Sequence, residues 1–222
     1  MSHGKHFTLY SHGTGPNGWK IASFLNELGL SYETIYLDLF GARAGEHKKP
    51  EFLKLNPNGR IPVLIDHKNN DLVIWESGAI LLYLVDKYDD EKKYFGINDK
   101  DKSEVLQWLF FQVSGQGPAF GQAAWFNYYH PDKLPSAVER YKTEIKRILG
   151  VLEIVLSKQE WLAAGKFTIA DLSFVPWNDA SIVRETADFE KDFPATYKWH
   201  QKLFQIPGIK AAFAERERVI AV

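Results

Sequence analysis

Arg60-Ile61-Pro62-Val63-Leu64-Ile65-Asp66, then the turn His67 to Asp71, then Leu72-Val73-Ile74-Trp75, is the stretch that decides the fold. Two apolar, β-branched runs at hairpin distance predict a pair of antiparallel strands. Ser77 then opens a helix through Tyr88, on which Ile80, Leu81, Tyr83, Leu84 and Val85 make a broad apolar surface.

Upstream, Phe7 to Ser11 reads as a short strand, and Gly13 to Gly18 is turn material leading into a helix from Trp19 to Leu28. Ile21, Phe24, Leu25 and Leu28 have the spacing of one buried helical face, and Gly29 supplies the C-terminal stop. Tyr32 to Leu37 alternates as a second strand, so this part is a βαβ unit with a parallel pair. Lys49 to Leu55 reads as a short helix before the decisive stretch. The sheet therefore begins parallel and ends antiparallel.

Downstream, the charged run Asp89 to Asp101 marks a boundary, and everything after it reads helical. Leu106, Leu109, Phe110 and Val113 make one stripe; Val138, Tyr141, Ile145, Ile148, Leu149, Leu152 and Leu156 make a longer one. Thr168 stands three residues before Asp171 in the pattern of a capping box, which is a folding signal. The expectation is an α/β domain over residues 1–90 and an all-helical domain over residues 91–222.

Composition narrows the function. Lys and Arg total 27 against 28 Asp and Glu, for a net charge of −1, which disfavours nucleic acid and anionic lipid as partners. Met1 to Lys5 contains no apolar leader, and the apolar stretch Ala79 to Val85 falls far short of the roughly 20 residues that span a bilayer. A soluble, cytoplasmic protein is expected. With no cysteine in the chain, thiol chemistry has to use a thiol carried by the ligand. His3, His6 and His12 lie close together, but no set at ligand spacing completes a metal site.

Gly13-Thr14-Gly15-Pro16-Asn17-Gly18 satisfies G-x-G-x-x-G between a strand and a helix, with Asp38 about 20 residues further on. That is a dinucleotide-binding fingerprint in its proper context. Two features oppose it: Pro16 lacks an N–H where a pyrophosphate needs donors, and the third strand enters a hairpin instead of another crossover.

Strand-helix-strand, helix, strand-strand-helix is the thioredoxin arrangement. Asn56-Pro57-Asn58-Gly59-Arg60-Ile61-Pro62-Val63-Leu64 and Trp75-Glu76-Ser77-Gly78-Ala79-Ile80 resemble the two ligand motifs of cytosolic glutathione transferases. The resemblance extends to the Thr168 to Asp171 cap and to Ile206-Pro207-Gly208-Ile209. Gly15-Pro16-Asn17-Gly18-Trp19-Lys20, Gly45-Glu46-His47 and Gln107-Trp108-Leu109 look like the fungal class related to the yeast nitrogen-regulator prion protein; the bacterial Nu class is similar. The Asn/Gln-rich prion extension has no counterpart in this sequence, so the regulator role is not expected to carry over. The loop Phe40 to Gly45 also looks longer than in that class.

The resemblance implies a thioredoxin-like domain that binds glutathione and a helical bundle that forms the second-substrate pocket and part of a homodimer interface. Glutathione is the implied co-substrate, with no metal and no nucleotide. Glu76 is assigned the γ-glutamyl ammonium and Ser77 its carboxylate; the plainer alternative is that Ser77 caps a helix and Glu76 is solvated. Ile61 would pair its backbone with the ligand cysteine beside Pro62, and a cis Pro62 would suit that role. His47 and Arg60, with Lys48 as a lesser candidate, would take the glycine carboxylate. Asn17 is the implied thiolate donor, Thr14 a hydroxyl alternative, and Tyr10 and Ser11 further candidates at the strand end. The lesser alternative for Asn17 is a plain N-cap. Phe120, Trp125 and Tyr128 are candidates for the second-substrate pocket, or for core. An Asn donor steadies a thiolate but cannot act as a base. The implied activities are therefore glutathione-dependent disulfide reduction and peroxide reduction, with weak conjugation of hydrophobic electrophiles. The ligand is then glutathione or glutathione disulfide, in a detoxification role. The alternative is a non-catalytic protein that binds glutathione or its conjugates.

Overall fold

In a computed structural model, residues 4–221 are described; His3 lies outside them. The first part of the chain carries β1 (Phe7–Ser11), α1 (Pro16–Glu27), β2 (Tyr32–Tyr36), a 3-10 turn (Glu46–Lys48) and α2 (Pro50–Leu53). It continues with β3 (Val63–Asp66), β4 (Leu72–Trp75) and α3 (Ser77–Tyr88). The sheet order is β2-β1-β3-β4, with β1 parallel to β2 and antiparallel to β3, and β4 antiparallel to β3. This is the thioredoxin-like arrangement, and it removes the doubly wound alternative: no further parallel strand extends the sheet among the described residues.

The central strand β1 buries Phe7 and Leu9 completely, and Val63 and Leu64 do the same on β3. Helix α1 starts at Pro16, three residues ahead of the sequence expectation, because a proline at the first helical position has its φ preset and no N–H to satisfy. Strand β3 begins only at Val63, because Ile61-Pro62 is a cis peptide and the ladder with β1 starts at the pair Tyr10 and Val63.

The helical part comprises α4 (Asp99–Phe111), a wide π turn (Gln112–Gln116), α5 (Gly117–Ala124), a second π turn (Trp125–Tyr129) and α6 (Pro135–Leu156). It continues with α7 (Ile169–Asn178), α8 (Ser181–Thr186), α9 (Phe189–Asp192), α10 (Pro194–Leu203) and α11 (Pro207–Ile220). By contacts the chain forms two compact units: the chain up to Asp90 together with Gln205 onward, and Glu91–Phe204. The last helix thus differs from the sequence expectation of a single domain over 91–222. Its reason is local: Gly208 lets α11 lie directly on α1, where a Cβ would stand 2.5 Å from the Glu27 nitrogen and 2.6 Å from the Ser23 oxygen. The Glu27 carboxylate accepts the Gly208 N–H at 2.8 Å, and Tyr36 donates its hydroxyl to Glu215 at 2.9 Å.

Within the helical unit the long stripe on α6 is buried from Ile145 to Leu156 as its spacing predicts. Of the first stripe only Leu109 is buried. Phe110 is 59% exposed, while Val105, Leu109, Gln112 and Gln116 face inward. Two buried glutamines defeat a hydrophobicity reading. They are satisfied in a relay, Gln112 Nε2 to Gln116 Oε1 at 3.0 Å and Gln116 Nε2 to Asn178 Oδ1 at 2.7 Å.

The capping box at α7 is present, and it reaches further than a cap. Asp171 accepts from Thr168 N and Oγ1, from Leu162 N at 2.9 Å and from Trp199 Nε1 at 3.0 Å. Burial pushes its carboxyl up to about 6 against the pull of those donors. Replacing it strands several buried donors at once, each worth about 1–3 kcal/mol. Asp171→Ala is therefore expected to destabilise the fold by roughly 3–5 kcal/mol. Urea unfolding checks this; a loss under about 1 kcal/mol would show that the donors find other partners.

Candidate functional site

The end of β1 and the start of α1 form a compact corner. Trp19 Nε1 donates to the Gly13 carbonyl at 2.8 Å, and the Gly15 N–H donates to the His12 carbonyl at 3.2 Å. Gly18 lies so near β1 that a Cβ there would stand 1.8 Å from Ser11 Oγ and 2.9 Å from Ser11 Cβ. Asn17 sits in the first turn of α1, half-buried; the cap residue is Gly15, with no side-chain cap bond. The N-cap reading of Asn17 is thereby removed.

Thr14 is exposed and tied to His12. Its N–H donates to His12 Nδ1 at 3.2 Å, so that nitrogen is an acceptor, and the Thr14 hydroxyl at the same distance must also donate to it. The hydroxyl proton is therefore committed away from any bound thiol. Burial lowers the His12 imidazole, with Asp38 opposing, which keeps the acceptor form. Tyr10 packs edge-on against Phe52, and burial raises its hydroxyl pKa; Ser11 is buried under Gly18. Neither suits a thiolate donor.

A second loop meets this corner. The buried Asn56 side chain donates to the Arg60 carbonyl at 2.7 Å and accepts the Asn58 N–H at 3.0 Å, shaping the run that delivers Ile61 and the cis Pro62. A Cβ on Gly15 would stand 3.0 Å from Ile61 Cδ1, so the α1 start and the Ile61 edge touch. Lys48 donates to the Asn58 carbonyl at 3.1 Å, bracing the loop from the 3-10 turn. His47 beside it has a buried Nδ1 with no partner among the described residues. Burial, then Lys48, Arg60 and His12, hold its imidazole below the usual range. Lys48 and Arg60 supply the positive charge of a corner that fits a carboxylate, and the His47 Nδ1 adds a polar atom to it.

The third piece is the entry to α3. Glu76 is its cap residue, at φ 71° and ψ 116°, a region that costs a non-glycine residue about 1–3 kcal/mol. Ser77 is buried and accepts from Lys20 Nζ at 3.2 Å, which ties α3 to α1. Asn17 on the first turn of α1, His47 on the 3-10 turn, Arg60, Ile61 and Pro62 before β3, and Glu76 and Ser77 at the α3 entry all belong to one unit; Gly15 meets Ile61, and Lys20 ties α1 to Ser77.

Sequence reading missed two residues. Lys20 stands one turn into an amphipathic helix, a position that gives no sign of burial. His12 reads from sequence only as a possible metal ligand; its partner two residues away, Thr14, is the available signal. Asp38, the acidic member of the dinucleotide fingerprint, spends its carboxylate on the N–H groups of Phe40, Gly41 and Arg43. Its carboxyl is lowered by these bonds. The longer loop is thus closed by Asp38 and by Glu46, which accepts the Asp38 N–H at 2.8 Å.

In the helical unit, Phe120 is fully buried, edge-on to Trp177, so it serves the core and is corrected as a pocket residue. Trp125 and Tyr128 are part-exposed on the second π turn, where Trp125 stacks on Tyr129. Among the described residues no group of three or more His, Asp or Glu could hold a metal ion.

Comparison with known proteins agrees with this geometry. Residues 5–86 match the family model "Glutathione S-transferase, N-terminal domain" and residues 118–207 match "Glutathione S-transferase, C-terminal domain". Glutathione S-transferase 2 of Schizosaccharomyces pombe is 52% identical over 95% of this chain and 96% of its own length. The transcriptional regulator URE2 of Saccharomyces cerevisiae is 41% identical over 91% of this chain, which spans 66% of that protein. The crystal structure of glutathione transferase URE2P6 from Phanerochaete chrysosporium in complex with oxidized glutathione superposes with a TM-score of 0.93. It shares 59% identity, over 99% of this chain and 100% of that one.

The Gly18 contact predicts that Gly18→Ala destabilises the chain by about 1–3 kcal/mol through overpacking against Ser11. Adding Ser11→Ala removes the Oγ in the way and should recover part of the loss. Thermal melts of the single and double variants test this; equal losses in both would place the strain elsewhere.

Proposed function

Because the chain belongs to the glutathione S-transferase family, we propose that its α1 corner binds glutathione and activates the ligand thiol, for disulfide and peroxide reduction above conjugation. The observation that carries this reading is the convergence, on one unit, of the α1 start, the Ile61 edge and the Glu76-Ser77 helix entry. A tripeptide with an ammonium, two carboxylates and a thiol needs partners for each in this order. Glu76 serves the ammonium, Ser77 and the α3 amides its neighbouring carboxylate, Ile61 the cysteine backbone, and His47 with Arg60 the glycine carboxylate.

Asn17 is the thiolate donor. Lowering a thiol from about 8.5 by about two units takes about 2.7 kcal/mol. One hydrogen bond to an anion contributes about 1.5–3 kcal/mol and a helix start about 0.3–1, so Asn17 on the first turn of α1 meets the requirement. Thr14 cannot substitute while its hydroxyl donates to His12. Because the Asn amide does not titrate, no proton is drawn from a second substrate. A bound thiolate attacking a disulfide or a peroxide oxygen needs none drawn. The relative crystallised with oxidized glutathione supports the redox reading. In the helical unit, Trp125 and Tyr128 are proposed to meet an apolar second substrate, and a homodimer is proposed as the working form.

A second reading rests on the URE2 likeness: the same site holds glutathione with little turnover. One experiment separates the two. Asn17→Ala is expected to lower disulfide reduction roughly tenfold or more with an unchanged melting temperature. Calorimetric titration with glutathione runs beside it. Unchanged turnover rejects Asn17 as the activating residue, and tight binding with background turnover in the wild type favours the binder.

A further inference from the structure

Lys20 is the one charged-type side chain of α1 that points inward: it is 1% exposed, against a helix entry the glutathione reading assigns to a carboxylate. Its Nζ donates to Ser77 Oγ at 3.2 Å, and Ser77 is itself buried. The amine therefore lies directly behind the hydroxyl that would receive the γ-glutamyl carboxylate. We propose that Lys20 is the proton-linked positioning residue of this subsite: it takes up a proton from solvent when a carboxylate docks on Ser77 and the first turn of α3. The inference rests on the glutathione reading and adds to it a coupled proton.

The charges around Lys20 define the linkage. Burial lowers the Lys20 amine to about 7, and Glu76 at the α3 entry opposes that shift. Just before β1, His6 is engaged with Asp66 and Tyr88, and on α11 Glu215 is engaged with Tyr36. Glu76 is a carboxylate that acts on Lys20 before any ligand is bound. A ligand ammonium on Glu76 neutralises that carboxylate, and a ligand carboxylate on Ser77 replaces it at shorter range. In a buried, low-dielectric setting the incoming anion raises the amine well above neutral pH. The amine then enters the complex as an ammonium, and one proton balances one added negative charge.

The sign follows from linkage. A group protonated more in the complex than in the free protein makes affinity fall as pH rises through its free-state pKa. A Ser77 hydroxyl bonded to an ammonium also has its proton turned toward the ligand, since an ammonium only donates. Lys20 thereby sets the direction in which Ser77 donates.

The test uses S-methylglutathione, whose blocked thiol removes the proton that a bound thiolate would release. Calorimetric titration of the full chain in buffers of different ionisation enthalpy counts protons taken up at pH 7.5. The wild type is expected to take up about half a proton more per site than Lys20→Met, and its affinity to fall roughly fivefold or more between pH 6 and pH 8. His47 contributes the same in both proteins, so the difference isolates Lys20. Lys20→Arg keeps a permanent charge and should bind at pH 8 as the wild type does at pH 6, without the Lys20 share of uptake. Equal uptake in wild type, Lys20→Met and Lys20→Arg overturns the role of Lys20 while leaving the glutathione reading standing. If Lys20→Met does not fold, the Lys20→Arg comparison decides alone. No binding of S-methylglutathione at any pH overturns the glutathione reading itself.

Discussion

Helix α1 is held between two glycine contacts, and the site exists because both are that close. At its start Gly18 lies on Ser11 of β1; near its end Gly208 of α11 lies on Ser23 and Glu27. Any side chain at either glycine would lift the helix from its neighbour, since interiors are packed too densely to absorb a methyl without movement. With α1 fixed, its first turn, which bears Asn17, begins where Gly15 meets the Ile61 edge, and the next turn carries Lys20 to Ser77. Trp19 adds a third hold by donating to Gly13, so the turn between β1 and α1 is pinned from inside the helix.

The same unit keeps its expensive charges apart. Asp66 is buried with His6, Tyr83 and Tyr88 around it, at the C-terminal end of β3, away from the cis Pro62 that precedes the strand. Tyr83, Tyr88 and the Lys68 N–H hold its carboxyl low in spite of burial. That network is satisfied within the fold, as buried polar groups generally are. Lys20, on α1, donates to the Ser77 hydroxyl while burial lowers its amine, and the buried Nδ1 of His47, on the 3-10 turn, has no partner among the described residues.

The fold was legible where it depended on periodicity and turn chemistry. The strand from Leu72 to Trp75 and the helix from Ser77 to Tyr88 follow the sequence residue for residue, and the first arm of the hairpin ends at Asp66 as expected but starts three residues later, at Val63. What escaped were features set by tertiary contact. Gln112 and Gln116 occupy core positions because Asn178 reaches them, and no local pattern announces that. Helix α11 joins the first unit because one glycine admits close approach to α1, and its sequence reads like any other terminal helix. Phe120 was a fair candidate for a pocket until its ring was found against Trp177. For the proposed site, the motifs point to Asn17, Ile61, Glu76 and Ser77; the burial of Lys20 and the tie between His12 and Thr14 are visible only in three dimensions.

The distribution of charge around α1 also bears on which chemistry suits it. On the glutathione reading each fixed ligand charge meets an opposite one: Glu76 the ammonium, Lys20 and Ser77 one carboxylate, His47 and Arg60 the other. The sulfur alone is met by dipoles, the Asn17 amide and the start of α1. A cation in that place would hold a thiolate more tightly, but it would be left buried and unpaired whenever the sulfur became neutral in a disulfide, at a cost of several kcal/mol. An amide loses only a hydrogen bond, about 1 kcal/mol net. A dipolar donor therefore levels the two sulfur states that a thiol-disulfide cycle passes through, and a site that must release a disulfide as readily as it binds a thiolate is better served by Asn17 than by a charged residue.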